Sequence, residues 1–255
     1  MVLIDTHCHL YLDEFKTDID AVMDKARQYG VTKFYLPAIN SETIPDMLGL
    51  EAKYPGVCIP MMGLHPCSVK ENYRVELAVA EEWLNKRPFT AVGEIGLDFY
   101  WDKIFVKEQY ESFAIQMQWA LDRAMPIVIH TRNAMEETIE AVKPFAAKGL
   151  RGIFHCFSGN ANSAQQVVDM GFYLGIGGVI TYKNAGLAEA LENIGIEHLV
   201  LETDSPYLTP VPYRGKRNES SYLQYIITKL AEVKKLPVEE VAAITTANAQ
   251  KIFGG

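Results

Sequence analysis

Val2-Leu3-Ile4-Asp5-Thr6-His7-Cys8-His9 is a short apolar run that ends in two histidines spaced two apart. Alternate residues of an extended chain share a face. His7 and His9 therefore point one way and Cys8 the other. Two imidazoles so placed can grip one cation, but the same pattern also occurs as packed core histidines. Recurrence decides between the two. Short apolar runs return near 33–38, 58–63, 90–95, 126–130, 151–155, 172–176 and 198–203. Counting 2–6, that predicts eight strands, each followed by helical sequence.

The intervening segments carry the helical period. Asp18, Ile19, Val22, Met23, Ala26 and Tyr29 set an i, i+3, i+4 face, and 75–83, 110–121, 134–145 and 187–194 repeat it. Gly30, Gly149, Gly171 and Gly195 fall where helices should end. The pattern predicts an α/β fold, a closed (β/α)8 barrel, as a single domain over 1–255. Residues 219–253 read as the last helix plus two short ones that close the barrel from outside. A doubly wound open sheet is the competitor, and it would bring fewer strand ends to one point.

Bulk composition narrows the classes. Hydrophobic residues make up 49% of the chain, enough for a sizeable core. The formal net charge of -8 argues against tight non-specific nucleic-acid binding. It leaves open an enzyme that grips phosphates locally through metals. Cys8, Cys58, Cys67 and Cys156 form no CxxC pair, so a thiolate zinc site is not expected. No basic leader and no membrane-length apolar stretch is present, which predicts a soluble, cytoplasmic protein without a membrane partner. No obligate protein partner is evident.

Four further donors end later strands. Glu94 lies in Gly93-Glu94-Ile95-Gly96-Leu97-Asp98, His130 follows Ile127-Val128-Ile129, His155 follows Gly152-Ile153-Phe154, and Asp204 follows Leu199-Val200-Leu201-Glu202-Thr203. Barrel active sites form at this strand-end mouth. With His7 and His9, these six donors suffice for two divalent cations sharing a bridging carboxylate. Each histidine alone is more often a packed one, and Glu94 alone could be a buried ion pair. Asp204 could bind an ion and also take the proton of an attacking water. Glu202 shares its facing but lies deeper, as a partner for a histidine or for Arg132.

These motifs resemble the TatD-type metal-dependent deoxyribonucleases, a branch of the metal-dependent hydrolases. The resemblance spans essentially the whole chain. It rests on residues 4–10, Gly63-Leu64-His65-Pro66, residues 93–98, Ile129-His130-Thr131-Arg132, residues 155–159, residues 202–208 and the basic stretch 212–219. It implies His7, His9, Glu94, His130, His155 and Asp204 as metal ligands, with Glu94 bridging and catalysis shared by Glu94 and Asp204. It implies hydrolysis of phosphodiester bonds in DNA from the 3′ end, through a water activated by two divalent ions (Zn, Mn or Mg). Two departures stand out: Cys67 where many relatives have a second histidine, and Ser220 where relatives often have proline.

Five residues are candidate substrate contacts. His65 could meet the scissile phosphate, Arg132 could hold a phosphate bidentately, and Arg214, Lys216 and Arg217 form a basic cluster near the mouth. A hydrogen-bonded loop histidine, an ion pair of Arg132 with Glu202 or Glu94, and a solvated loop are the plainer readings. Phe99-Tyr100-Trp101 reads as rim packing, with stacking on nucleobases the alternative. Two other functions remain open. One is a two-metal hydrolase of small esters, amides or lactones. The other is a metal-stabilised scaffold, whose ions should be fully enclosed by protein ligands.

Overall fold

A computed structural model describes residues 1–254. All eight apolar runs form parallel strands: β1 Leu3–Asp5, β2 Val31–Pro37, β3 Cys58–Met61, β4 Val92–Asp98, β5 Ile127–Arg132, β6 Gly152–Phe154, β7 Tyr173–Ile176 and β8 Leu199–Leu201. Ladders join β1–β2–β3 and β4 through β8. Both seams between these groups are hydrogen-bonded. Met62 N donates to Ala91 O (3.2 Å) and Gly93 N to Met62 O (3.0 Å), while Thr6 N donates to Leu201 O (3.0 Å). The sheet is a closed (β/α)8 barrel, not the open competitor.

Side-chain parity sorts the strands into two layers. Ile4, Tyr35, Met61, Ala91, Val128, Ile153, Tyr173 and Val200 form one inward ring, with a member in or beside each strand. Their neighbours, including Leu3, Phe34, Val92, Ile129, Phe154, Leu174, Leu199 and Leu201, pack outward into the larger cluster. Helices α1 Ile19–Gln28, α2 Ile44–Lys53, α3 Tyr73–Lys86, α4 Val106–Asp122, α5 Met135–Ala146, α6 Ala161–Asp169, α7 Leu187–Leu191, α8 Leu223–Lys234 and α9 Val238–Phe253 follow in chain order. On α1, Val22, Met23 and Ala26 are the buried face, and Lys25 and Arg27 sit in the last turn, where the helix dipole favours cations. Ala249 and Ile252 of α9 join the inward ring, so this helix plugs the barrel floor.

Some details differ from the sequence reading. Helices α2 and α6 were not among the helical faces read from the sequence; α6 is started by Asn160, whose side chain accepts from Ser163 N (3.0 Å). Gly30, Gly149 and Gly171 take positive φ, but Gly195 (φ -60) opens a 3-10 turn instead of ending a helix. The C-terminal segment holds two long helices and one 3-10 turn, Ser220–Tyr222, in place of one last helix and two short ones.

The largest difference is at β4, which spans Val92–Asp98 where the sequence reading had 90–95. Its register with β5 shifts between Gly93 and Ile95. Val92 faces outward, and so do Ile95 and Leu97. The bulge absorbs one residue, so Glu94, Gly96 and Asp98 all face the interior. Gly96 makes this possible: at φ +150, a Cβ would lie 1.9 Å from His130 O. Gly96→Ala is expected to cost on the order of 3 kcal/mol or more, read as a fall in the urea midpoint. An unchanged midpoint would show that the β4–β5 contact tolerates displacement.

Candidate metal centre

The six predicted ligands and His65 converge at the strand-end mouth. Glu94 is 1% exposed and sits between two groups of imidazoles. Its Oε2 faces His7 Nε2 (3.1 Å) and His9 Nε2 (3.5 Å). Its Oε1 faces His155 Nε2 (2.8 Å), His130 Nδ1 (2.8 Å) and His65 Nε2 (3.3 Å). Asp204 Oδ1 lies 3.7 Å from His7 Nε2 and 3.6 Å from His9 Nε2. Three overlapping groups could hold a metal: His7, His9 and Glu94; His7, His155 and Asp204; and His65, Glu94 and His130.

Irregular backbone delivers several of these donors. His7 and His9 lie past the end of β1, while Cys8 is buried in the outer layer, as its alternation predicted. Asp204 lies past β8 in the left-handed region (φ 57), a conformation that costs energy for a non-glycine residue and gathers at functional sites. Asp5 ties the two segments together. Its Oδ1 accepts from Thr203 N (3.0 Å), and its Oδ2 from Thr203 Oγ1 (2.6 Å) and Ser220 Oγ (2.6 Å). Ser220 thus clamps the base of the site.

Three ring orientations are set from behind. Tyr11 donates its hydroxyl proton to Pro37 O (2.5 Å), so its oxygen accepts from His9 Nδ1 (3.0 Å). Asp98 Oδ2 accepts from His130 Nε2 (3.0 Å). Glu202 Oε1 lies 3.5 Å from His155 Nδ1, close to the role read from the sequence. Each ring thereby turns its other nitrogen to the centre, the arrangement that fixes metal-binding histidines. Glu202 fits because Gly175 leaves room; a Cβ there would lie 2.1 Å from Glu202 Oε2. His65 differs. Its Nδ1 accepts from Cys67 N (3.0 Å), so its proton is on Nε2 and it is a hydrogen-bond donor rather than a ligand.

The electrostatics fit cations. Asp5, Glu94, Asp98, Glu202 and Asp204 are buried, and no lysine or arginine is buried among the described residues. Unpaired buried carboxylates are costly. Glu94 Oε2 has no hydrogen-bond partner, and His7 Nε2 and His9 Nε2 stand 3.2 Å apart. Burial alone would raise the Glu94 carboxyl, but His155, His65 and His7 outweigh it and hold it well below the usual range. Burial opposes charge on His155 and His130 too, yet Glu94 with Glu202 or Asp98 raises both. Burial pushes His7 well down and pushes Asp204 up to about 6.

The basic candidates sit farther out. Arg132 is exposed on the rim and stacks over Tyr100 (3.9 Å to the ring centre) instead of pairing with Glu202 or Glu94. Arg214 lies over Tyr182 (4.2 Å) beside a recess of about 460 Å³, and Lys216 is exposed nearby. Arg217 does not join them. It donates bidentately to Asp18 (2.9 and 2.7 Å) and to Glu14 O, which fixes the loop to the start of α1. Asp98 and Tyr11 were not singled out from the sequence. The spacing Glu94-x-Gly96-x-Asp98 carried a signal for the first; nothing marked the second.

Barrel and donor set define a metal-dependent hydrolase. The profile of the family described as TatD related DNase matches residues 4–254, and the chain belongs to that family. It is 37% identical over 253 residues to the uncharacterized metal-dependent hydrolase YabD of Bacillus subtilis, covering 99% of each chain. It is 33% identical over 266 residues to the uncharacterized metal-dependent hydrolase YcfH of Escherichia coli, covering 99% of this chain and 96% of that one. Among solved structures, the TatD homolog YjjV of Escherichia coli superposes with a TM-score of 0.93 at 28% identity, covering 99% of this chain and 98% of that one.

Two outcomes test the centre. His130 and His155 stabilise the metal-free fold as cations; that contribution is full below the ordinary value of 6.5 and is lost as pH rises through their raised values. Metals need the neutral rings. The rise in Tm on adding Mn²⁺ or Zn²⁺ to chelated protein should therefore grow from about pH 6 to about pH 8. A rise that shrinks with pH would contradict this. Asp98→Asn should weaken metal affinity roughly 10- to 100-fold by titration. Wild-type affinity would show that Asp98 does not orient His130.

Proposed function

We propose that this protein is a metal-dependent deoxyribonuclease that removes nucleotides from the 3′ end of DNA. One observation carries the two-ion reading: each oxygen of Glu94 faces its own set of imidazoles. Glu94 would bridge, His7 and His9 would serve one side, His130 and His155 the other, and Asp204 would complete the set. Bound there, two divalent ions (Zn, Mn or Mg) would lower the pKa of water and neutralise charge on the phosphate.

The chain's own groups supply the rest. Asp204 would take or orient the proton of the attacking water. Its left-handed backbone aims Oδ1 across His7 and His9. His65 donates through Nε2 to a phosphate oxygen, its tautomer held by Cys67 N. Arg132 and Arg214 make no ion pair among the described residues and can accept phosphates of the strand. Arg217 serves the loop instead.

A second reading keeps the chemistry and changes the substrate to small esters, amides or lactones. The opposite rim favours it: Asp13, Glu14, Glu42 and Asp46 line a recess of about 410 Å³ that would repel a polyanion. Metal-loaded protein given 5′-labelled single- and double-stranded DNA should produce a ladder that shortens from the 3′ end and stops on chelation. Asp204→Asn should stay folded by circular dichroism and lose roughly 10²- to 10⁴-fold in rate. Turnover of an ester and lactone panel without DNA cleavage would replace the first reading with the second.

A further inference from the structure

The loop after β4 is more exposed than rim packing requires. Trp101 is 68% exposed and Tyr100 51%, whereas Trp119 is 8% exposed. The loop is nevertheless built. Asp98 Oδ1 accepts from Tyr100 N (2.9 Å) and Trp101 N (3.2 Å), while its Oδ2 holds His130. Farther on, Asp102 Oδ1 accepts from Ile104 N (2.8 Å), and Asp102 Oδ2 pairs with Lys70 Nζ (2.7 Å). One carboxylate thus orients a ring of the metal centre and fixes two aromatic residues on the rim.

Arg132 completes the arrangement. It is two residues beyond His130 on β5 and lies opposite Asp98 in the ladder. Two residues of strand span ~6.6 Å, which one nucleotide of extended chain can cover. Its guanidinium stacks on Tyr100 and lies 5.2 Å from the Trp101 ring centre. Tyr100 and Trp101 meet edge to face at 4.8 Å. Among the described residues no carboxylate or carbonyl accepts from Arg132. A guanidinium stacked on one face keeps its N–H edges free for a phosphate.

We infer that Arg132, Tyr100 and Trp101 form a subsite for the nucleotide that flanks the scissile phosphate, with Arg132 on its phosphate and Trp101 stacked on its base. The inference rests on the nuclease reading and adds to it the residues that read the neighbouring nucleotide. Stacking tolerates any base, so the subsite selects for an unpaired base and not for a sequence. A base inside a duplex is stacked on both faces, so it must leave the stack to engage the subsite. Tyr100 is the support: its ring holds the guanidinium and leaves Trp101 outermost.

The test uses metal-loaded protein and short thymidine oligonucleotides, intact or with an abasic sugar placed in turn on each side of the labile phosphate. For wild type, one abasic position should raise KM roughly ten- to hundredfold. Trp101→Ala should raise KM for the intact strand by the same factor, with the loss in KM rather than kcat. The two changes together should cost no more than either alone. Trp101→Phe should restore most of the affinity. Arg132→Gln should lower the slope of log KM against log salt concentration by about one. Trp101 is exposed, so the variants should melt with wild type.

Equal KM values for intact and abasic strands, or additive losses, would overturn the subsite while leaving the nuclease standing. Wild-type protein that cleaves no oligonucleotide would overturn both.

Discussion

Charge compensation at Glu94 governs the structure. A carboxylate buried at the centre of a barrel needs counter-charge, and no lysine or arginine is buried to provide it. Imidazoles from the segments after β1, β3 and β6 and from β5 surround it instead, split between the two oxygens, and of these His130 and His155 are the ones raised toward the charged form. This split turns one cluster of donors into two adjoining ones. The bulge in β4 is the backbone device behind it, because in an unbroken strand Glu94 would share the outward facing of Val92. The barrel closes around that bulge: Ala38 N donates to Gly93 O (3.2 Å), and Glu94 N to Ala38 O (3.3 Å).

The acceptors behind the rings make the centre rigid. Tyr11 and Asp98 each accept from the outward nitrogen of one imidazole, and Glu202 Oε1 lies 3.5 Å from that of a third. Asp5 joins the ends of β1 and β8 through Thr203 and Ser220, and burial pushes its carboxyl up to about 7. The backbone of Asp98 also pairs directly with the Gln109 amide: Asp98 N donates to Gln109 Oε1 (2.8 Å), and Gln109 Nε2 donates to Asp98 O (3.1 Å). The Cys67 thiol, which burial pushes up to about 12, lies 3.4 Å from Asp98 Oδ2 and stays a neutral neighbour. The residue standing where relatives often have histidine thus touches the carboxylate behind His130, not the donors themselves.

Much of this was legible in the chain. Eight apolar runs announced eight strands because parallel strands covered on both faces are apolar throughout. Polar donors at the ends of those runs announced the mouth, since histidine and carboxylate are poor strand-enders without a purpose there. Less was legible where tertiary geometry decided. The bulge between Gly93 and Ile95 was hidden, because it depends on how β4 pairs with β5. Tyr11 reaches His9 only because the chain bends after β1. Arg217 looked like a phosphate ligand beside Arg214 and Lys216, but its partner, Asp18, is remote in sequence. The membrane reading was simpler: no helix among the described residues is long and apolar enough to cross a bilayer.

The mouth is electrically uneven, with carboxylates over β1 and β2 and arginines over β5 and β8. Everything depends on Glu94 being shared by two ions. Anomalous diffraction from crystals soaked in Mn²⁺ or Zn²⁺ tests this most directly. The account requires two peaks flanking Glu94, one at Oε2 beside His7 and His9 and one at Oε1 beside His130 and His155. A single peak, or a second one away from Glu94, would contradict it.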